Sequence, residues 1–325
     1  MKQRMTNLTE LFIVFTGIFA VFLWSDMHAT PPPPLEEVVA KVAPVQEPVT
    51  ILFAGDMMLG RHVGKLIAAH GAEHPFEKIA SSLAEISPDL FIANLEGPIT
   101  ELAAPDSRVS PEQPYSMRFS FDPEVTSAIK DIGFTHLSLA NNHTLDQGGQ
   151  GVRDTIAHLS AAGVVPFGTR DGPALGTVAT TTVRGRDLVF VGLDTTIIVH
   201  DAGAVREALA AFPESTFVAV LVHWGNEYEA IHSSAQETFA HLLINSGADL
   251  VVGAHPHVVQ DVDTYKGKRI YYSLGNFVFD QYWNEAVQTG LMVLVTLDGD
   301  RTAYQELPVK SVRSQPAVTE VARLD

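Results

Sequence analysis

The stretch Val49 to Arg61, VTILFAGDMMLGR, carries the reading of the fold. Its first half is a short apolar run with β-branched and aromatic side chains, the pattern of a strand buried on both faces. The run stops at Gly55 and meets an acid, Asp56, immediately afterwards. The same construction returns down the chain. LFIAN (90–94) leads to Glu96, HLSLA (136–140) to Asn141, Asn142 and His143, VAVLV (218–222) to His223, and DLVVGA (249–254) to His255 and His257. Helical patterns separate these runs, over Pro75 to Ile86, Pro123 to Ile132, Gly151 to Ala162, near Ala202 to Ala211, and Ala235 to Ser246. Further strands are predicted at Val164 to Phe167, at Leu188 to Leu193, and as a pair around Arg269 to Phe279. Such alternation is the mark of βαβ units and an α/β fold with mostly parallel strands. Late strands at Thr289 to Leu297 and Thr302 to Val309 read as antiparallel additions.

Upstream of Val49 the chain changes character. Lys2 and Arg4 precede an uncharged apolar run, Leu11 to Trp24. As a helix that run covers roughly 21 Å, short of the ~30 Å hydrocarbon core unless flanking residues contribute. The length suits a signal segment as well as an anchor. The nearest cleavage-like triplet, Met27-His28-Ala29, has a large residue at its first position, which favours an uncleaved anchor. The basic residues before the run place everything after Trp24 outside the cytoplasm. Pro31 to Pro34 and the stretch to Pro48 favour extended polyproline backbone, a spacer between membrane and domain. The division predicted is therefore an anchor or signal segment at 1–24, a linker at 25–48 and one domain at 49–325.

Composition narrows the chemistry. A formal net charge of −17, from 38 acidic and 21 basic residues, argues against a nucleic-acid binder, because phosphate backbones are held mainly by Lys and Arg. The absence of cysteine removes disulfides, thiolate metal sites and cysteine nucleophiles. Metal ligands must then be His, Asp, Glu or Asn.

Those residue types collect just past the strand ends, where α/β folds present their ligand-binding loops. Singly, each has a plain structural explanation. Asp56 can cap a helix or hold a turn, Glu96 before Gly97-Pro98 can be a solvated loop acid, the two asparagines can be turn chemistry, and His223 can be a hydrogen-bonded core histidine. His255-Pro256-His257 resists that reading, since two imidazoles bracketing a rigid proline have no evident packing role. If the strand ends share one edge of a sheet, these carboxylate, amide and imidazole donors converge. Without thiolate they suit Zn, Mn or Fe, and a carboxylate can bridge two such ions.

GDMMLGR (55–61), NLEGPIT (94–100), LANNHTLDQGG (139–149), HWGNEY (223–228), GAHPHVVQ (253–260) and YSLGNFVFDQ (272–281) resemble the CapA or PgsA-like capsule-biosynthesis proteins, associated with poly-γ-glutamate, within the calcineurin-like metallophosphoesterase superfamily. The resemblance covers roughly Val49 to Leu297. It implies a four-layer αββα sandwich and a membrane-tethered protein exposed outside the cell, acting in a capsule-synthesis complex. It also implies roles for two divalent ions: Asp56 on the first, Glu96 bridging, Asn142 on the second, His223 and His255 completing the second site and His257 the first. His143 would protonate the leaving oxygen. One departure stands out: the superfamily's Asp-x-His has Met58 at its third position, and a thioether is a poor ligand for such ions. Asn94 or another residue would then fill the gap. Arg61, Asn94, Glu227 and Asn276 lie in the matched motifs and are expected to face the substrate, Arg61 as partner for an anionic group.

Three functions use these residues: a metal-dependent phosphoesterase-type hydrolase of capsule or envelope polymer metabolism, a non-catalytic poly-γ-glutamate synthesis or export component whose metals bind polymer carboxylates, and a γ-glutamyl amide hydrolase. The substrate expected is an anionic polymer or a phosphoester. An acidic protein repels a polyanion everywhere except at bound cations, so metal dependence is common to all three.

Overall fold

The computed structural model describes residues 47–102, 118–169 and 175–319. The predicted anchor, and the linker up to its last two residues, lie outside the described residues. Among the described residues no helix is long and apolar enough to cross a membrane.

The chain runs β1 (Val49–Met57), α1 (Arg61–His70), a single 3-10 turn at His74–Phe76, α2 (Ala80–Ile86), β2 (Leu90–Leu95), α3 (Val125–Asp131), β3 (His136–Ser138), α4 (Gly148–Ala161) and β4 (Val165–Phe167). It continues through β5 (Val178–Val183), β6 (Arg186–Asp194), α5 (Ala202–Ala210), β7 (Phe217–His223), α6 (Ser234–Asn245), β8 (Leu250–Ala254), β9 (Val262–Tyr265) and β10 (Lys268–Tyr271). The last strands are β11 (Asn276–Val278), β12 (Thr289–Asp298), β13 (Arg301–Val312) and β14 (Gln315–Val318).

Two sheets form. An 8-stranded sheet has the order β14-β13-β12-β1-β2-β3-β4 with β11 also on β1, and a 6-stranded sheet has the order β5-β6-β7-β8-β10-β9. β1 to β4 are parallel, as are β6, β7, β8 and β10. β12 and β13 join β1 as the antiparallel additions predicted, and β14 extends them by one more strand.

Side-chain alternation makes this a four-layer αββα sandwich. Val49, Ile51 and Phe53 of β1, Leu188 and Phe190 of β6, and Leu250 and Val252 of β8 share the core between the sheets. The intervening Leu52 and Ala54 pack outward with Val63, Ile67, Leu83, Ala128, Ile129 and Leu159 of the first helical layer. Val189, Val191, Val218, Val220 and Val251 do the same on the other side, against Val205, Leu209, Ala240 and Leu243 of α5 and α6. A strand buried on both faces has no polar side, so its sequence is a continuous apolar run. The helices of the second layer start on polar caps. Asp201 accepts from the Ala204 N–H at 2.7 Å, and Ser233 with Gln236 forms a reciprocal capping box at the start of α6.

Several features differ from the sequence expectation, which also left α1, β5, β9 and β14 unassigned. The strand ends that carry the candidate ligands do not share one sheet: β1, β2 and β3 belong to the first and β7 and β8 to the second. The segment expected as one helix from Pro75 is a 3-10 turn followed by α2, with Ile79 N–H bonding Phe76 O at 3.2 Å across three residues. The expected strand pair over Arg269 to Phe279 is not a pair, because β10 lies in the second sheet and β11 in the first. Gly275 makes that crossing, with φ +65 and a position where a Cβ would sit 2.9 Å from Thr289 O.

Candidate metal centre

Asp56 sits where β1 exchanges neighbours. Its register partners are Asn94 on β2 and Asn276 on β11, so sheet pairing alone puts two amides beside one carboxylate. Gly55 is required here, since a Cβ would lie 1.9 Å from Gly275 O. Asp56 is fully buried and accepts from Asn94 Nδ2 at 2.8 Å and from the His255 N–H at 3.1 Å. The second sheet contributes from the opposite side. His223 ends β7 in register with Ala254 of β8, and His255 and His257 follow in a turn with φ of +95 and +58. Non-glycine residues adopt such angles at a cost of about 1–3 kcal/mol each, borne where the surrounding structure fixes the side chain's aim.

The predicted ligands therefore converge. Atoms of Asp56, Glu96 and His223 lie within 4.8 Å of one another, and so do atoms of Glu227, His255 and His257. His257 joins the groups, with Nδ1 3.4 Å from Asp56 Oδ2 and Nε2 3.6 Å from Glu96 Oε1. Asn142 Oδ1 is 2.9 Å from His223 Nε2. His143 Nε2 stands 3.9 Å from Glu96 Oε1.

Glu96 tests whether cations fit. It is 0% exposed, and neither carboxylate oxygen has a hydrogen-bond partner. A buried carboxylate without donors is strongly disfavoured, and burial pushes its pKa well above the usual range, with Asp56 and Glu227 adding to the rise against His257. Buried charges persist when paired or when they coordinate a metal. His223 is held well below the ordinary histidine value by burial and then by His255, His257 and His143; His255 is lowered by burial and by His257. Neutral imidazole is the form that ligates metals. Burial also pulls His257 down, but Glu96 and Asp56 outweigh it and hold it up at about 9, so in the metal-free chain an imidazolium faces these carboxylates. The donor set of carboxylate, amide and imidazole fits borderline divalent ions.

A second ring of groups orients the first. Asn276 donates to Gln281 Oε1 at 3.0 Å and Val287 O at 2.9 Å, which leaves its Oδ1 to accept from His257 Nδ1 at 3.0 Å. The Asn276 oxygen thereby holds a proton on His257 Nδ1, so that in the neutral, metal-ligating form of the ring Nε2 would be the free donor on the Glu96 side. Asn94 is buried, and its amide is engaged by Asp56, by Asn141 at 3.0 Å and by His223 at 3.4 Å. Both asparagines thus touch ligands rather than open solvent. Arg61 is partly exposed, and its guanidinium pairs with Asp280 and lies 5.4 Å from the Phe119 ring centroid. Met58 is fully buried in the core under α1, with its sulfur accepting from the Gly60 N–H at 3.1 Å.

Asp146 escaped the sequence reading. Its Oδ2 takes His143 Nδ1–H at 2.8 Å and the Phe119 N–H at 2.6 Å, while the Phe119 ring stacks on the His143 imidazole at 4.0 Å. The available signal was the spacing His143-x-x-Asp146 inside a quoted motif. Asp280 has no such signal, and Asn141, a candidate in the sequence without an assigned role, holds Asn94 Oδ1 at 3.0 Å and Leu95 O at 2.8 Å.

Two solved structures share the fold. A hypothetical protein from Thermus thermophilus superposes with a TM-score of 0.52 at 17% identity, covering 81% of this chain and 99% of that one. A novel phosphatase from Mycoplasma pneumoniae gives 0.50 at 12% identity, covering 83% and 96%. The αββα sandwich is thus the fold of these two proteins. The chain belongs to the bacterial capsule synthesis protein PGA_cap family, whose sequence profile matches residues 50–281. Among its relatives are the capsule biosynthesis protein CapA of Bacillus anthracis, 31% identical over 85% of this chain and 71% of that one, and the PGA biosynthesis protein CapA of Bacillus subtilis (strain 168), 27% identical over 94% and 80%.

Proposed function

We propose that this protein is a two-metal, phosphoesterase-type hydrolase of poly-γ-glutamate capsule metabolism, with its domain held outside the membrane by the N-terminal segment. The observation that carries the reading is Glu96, a fully buried carboxylate with both oxygens unpartnered among three imidazoles. Asp56, Glu96, Asn142, His223, His255 and His257 are the ligands in this reading. Divalent ions there supply Lewis-acid polarisation of a phosphoryl or acyl oxygen and a more acidic water. His143 donates its Nε2 proton to the leaving oxygen as the P–O ester bond breaks and water's oxygen bonds to phosphorus, and the proton that water releases is returned to Nε2. Asp146 keeps Nδ1–H and holds the ring in place. An anionic substrate meets repulsion over most of a chain of net charge −17, so binding concentrates at the cations.

Met58 favours a second reading. With no imidazole there, the cluster binds polymer carboxylates without turning them over. The full chain, purified in mild detergent, is assayed with Mn, Zn, Fe or no metal on bis-p-nitrophenyl phosphate and on a γ-glutamyl peptide. Metal-dependent phosphodiester hydrolysis, lost at least about 100-fold in His143→Ala with metal content retained, is the expected result. Metal-loaded protein inert on both substrates selects the non-catalytic reading, and peptide cleavage alone selects amide hydrolysis.

A further inference from the structure

Resting on the two-metal reading, we infer that Glu227 is a metal ligand, supplying the coordination that Met58 does not. The loop after β7 carries Glu227 out of the sheet and back over the His255-Pro256-His257 turn. Ligand atoms of Glu227, His255 and His257 lie within 4.8 Å of one another. His255 gives an independent sign that something belongs between them. It is 8% exposed, and its Nδ1 is buried without any hydrogen-bond partner. An unpaired buried nitrogen carries a desolvation penalty that a coordinated ion removes.

The loop is fixed rather than merely near. Tyr228 N–H bonds Pro256 O at 2.8 Å, so the residue after Glu227 is tied to the residue between the two histidines. Tyr228 itself has φ +66, and Gln260 Nε2 holds Glu229 O at 2.8 Å. Further along, His232 is clamped by Asp261 through both its N–H at 2.9 Å and its Nδ1 at 2.7 Å. The sulfur of Met58, meanwhile, is occupied in its own turn by the Gly60 N–H.

Charge separates this role from the substrate contact expected of Glu227. A free carboxylate at the mouth of the site repels an anionic substrate. As a ligand it is neutralised, and two dications held by Asp56, Glu96 and Glu227 still present a net positive face to a polyanion. Glu227 is exposed, so replacing it leaves the core untouched.

The test is Mn²⁺ titration of the chelator-stripped full chain by calorimetry, with bound metal counted by mass spectrometry. Wild type is expected to take two equivalents, and Glu227→Gln to lose one or to bind it at least tenfold more weakly, with an unchanged circular-dichroism spectrum. The control Glu229→Gln, an exposed acid two residues away, keeps wild-type binding. Two equivalents at unchanged affinity in Glu227→Gln overturn the assignment while leaving the metal centre standing. Equal weakening in Glu229→Gln also overturns it, by showing a general charge effect. A wild-type chain that binds no Mn²⁺ overturns the metal centre itself.

Discussion

At the scale of single residues, the site joins groups that bind to groups that aim. His143 and Asp146 are the clearest pair, since the carboxylate both fixes the imidazole's Nδ1 proton and anchors Phe119, whose ring lies flat on the histidine. Asp146 acts through His143 and is a positioning residue. Asp146→Asn removes the charge with little change of shape, so phosphodiester turnover is expected to fall about 10–100-fold while the Mn²⁺ stoichiometry stays at the wild-type value. Steady-state kinetics beside metal counting checks both halves. Most metal-ligand candidates were legible as residues because an acid, amide or imidazole directly after an apolar strand has few packing duties. Asp146 was not, because its spacing to His143 acquires meaning only once Phe119, in the loop before α3, closes on the loop after β3 and fixes the carboxylate.

Among the elements, the strands that position the site tolerate little change at their ends. At Gly253 of β8 a Cβ would lie 1.9 Å from Tyr272 O and 2.5 Å from Trp224 Nε1. Both are held in place, since the indole donates to Tyr272 O at 2.7 Å. Gly253→Ala is expected to destabilise the domain by about 3 kcal/mol, read as a lower urea midpoint. β3 carries a different sensitivity. Burial pulls the His136 imidazole, tilted 5.1 Å from the Phe190 ring, down to about 4 from an ordinary 6.5. Between those values the unfolded chain binds the proton and the folded chain does not. Stability is therefore full above pH 6.5 and falls as pH drops toward 4, by up to about 3 kcal/mol from this group. In His136→Phe the urea midpoint declines less between pH 7 and pH 4; an equal decline would show that His136 does not contribute. Strand and helix types followed from periodicity, whereas β5 and β9, threonine- or charge-rich edge strands, and the crossing at Gly275 did not, because edge pairing leaves little apolar pattern.

For the whole molecule, the candidate metal centre lies where the two sheets meet. Asp56 and Glu96 come from the first and His223, His255 and His257 from the second, so ions bound there link the halves of the sandwich. Binding that favours the folded state adds about 2.7 kcal/mol at a hundredfold excess over Kd. For a domain of this size that corresponds to a rise of roughly 5–10 °C in thermal midpoint on Mn²⁺ loading. Differential scanning calorimetry with and without chelator measures it, and coincident melting curves would argue that no ion is held between the sheets. The same dependence follows from Glu96, a fully buried carboxyl group with no hydrogen-bond donor to either oxygen.

The amino-acid sequence alone determined the α/β class, the succession of the core strands along the chain and most of the side chains that collect at their ends, because apolar periodicity and the residue after each strand are local properties. Tertiary structure decided that the strand ends come from two facing sheets, that Asn94 and Asn276 flank Asp56 in register, and that Glu227 reaches the histidine turn while Met58 stays in the core. These are outcomes of pairing and packing between distant segments. Each depends on a free-energy balance over the whole fold, which no local stretch of sequence contains.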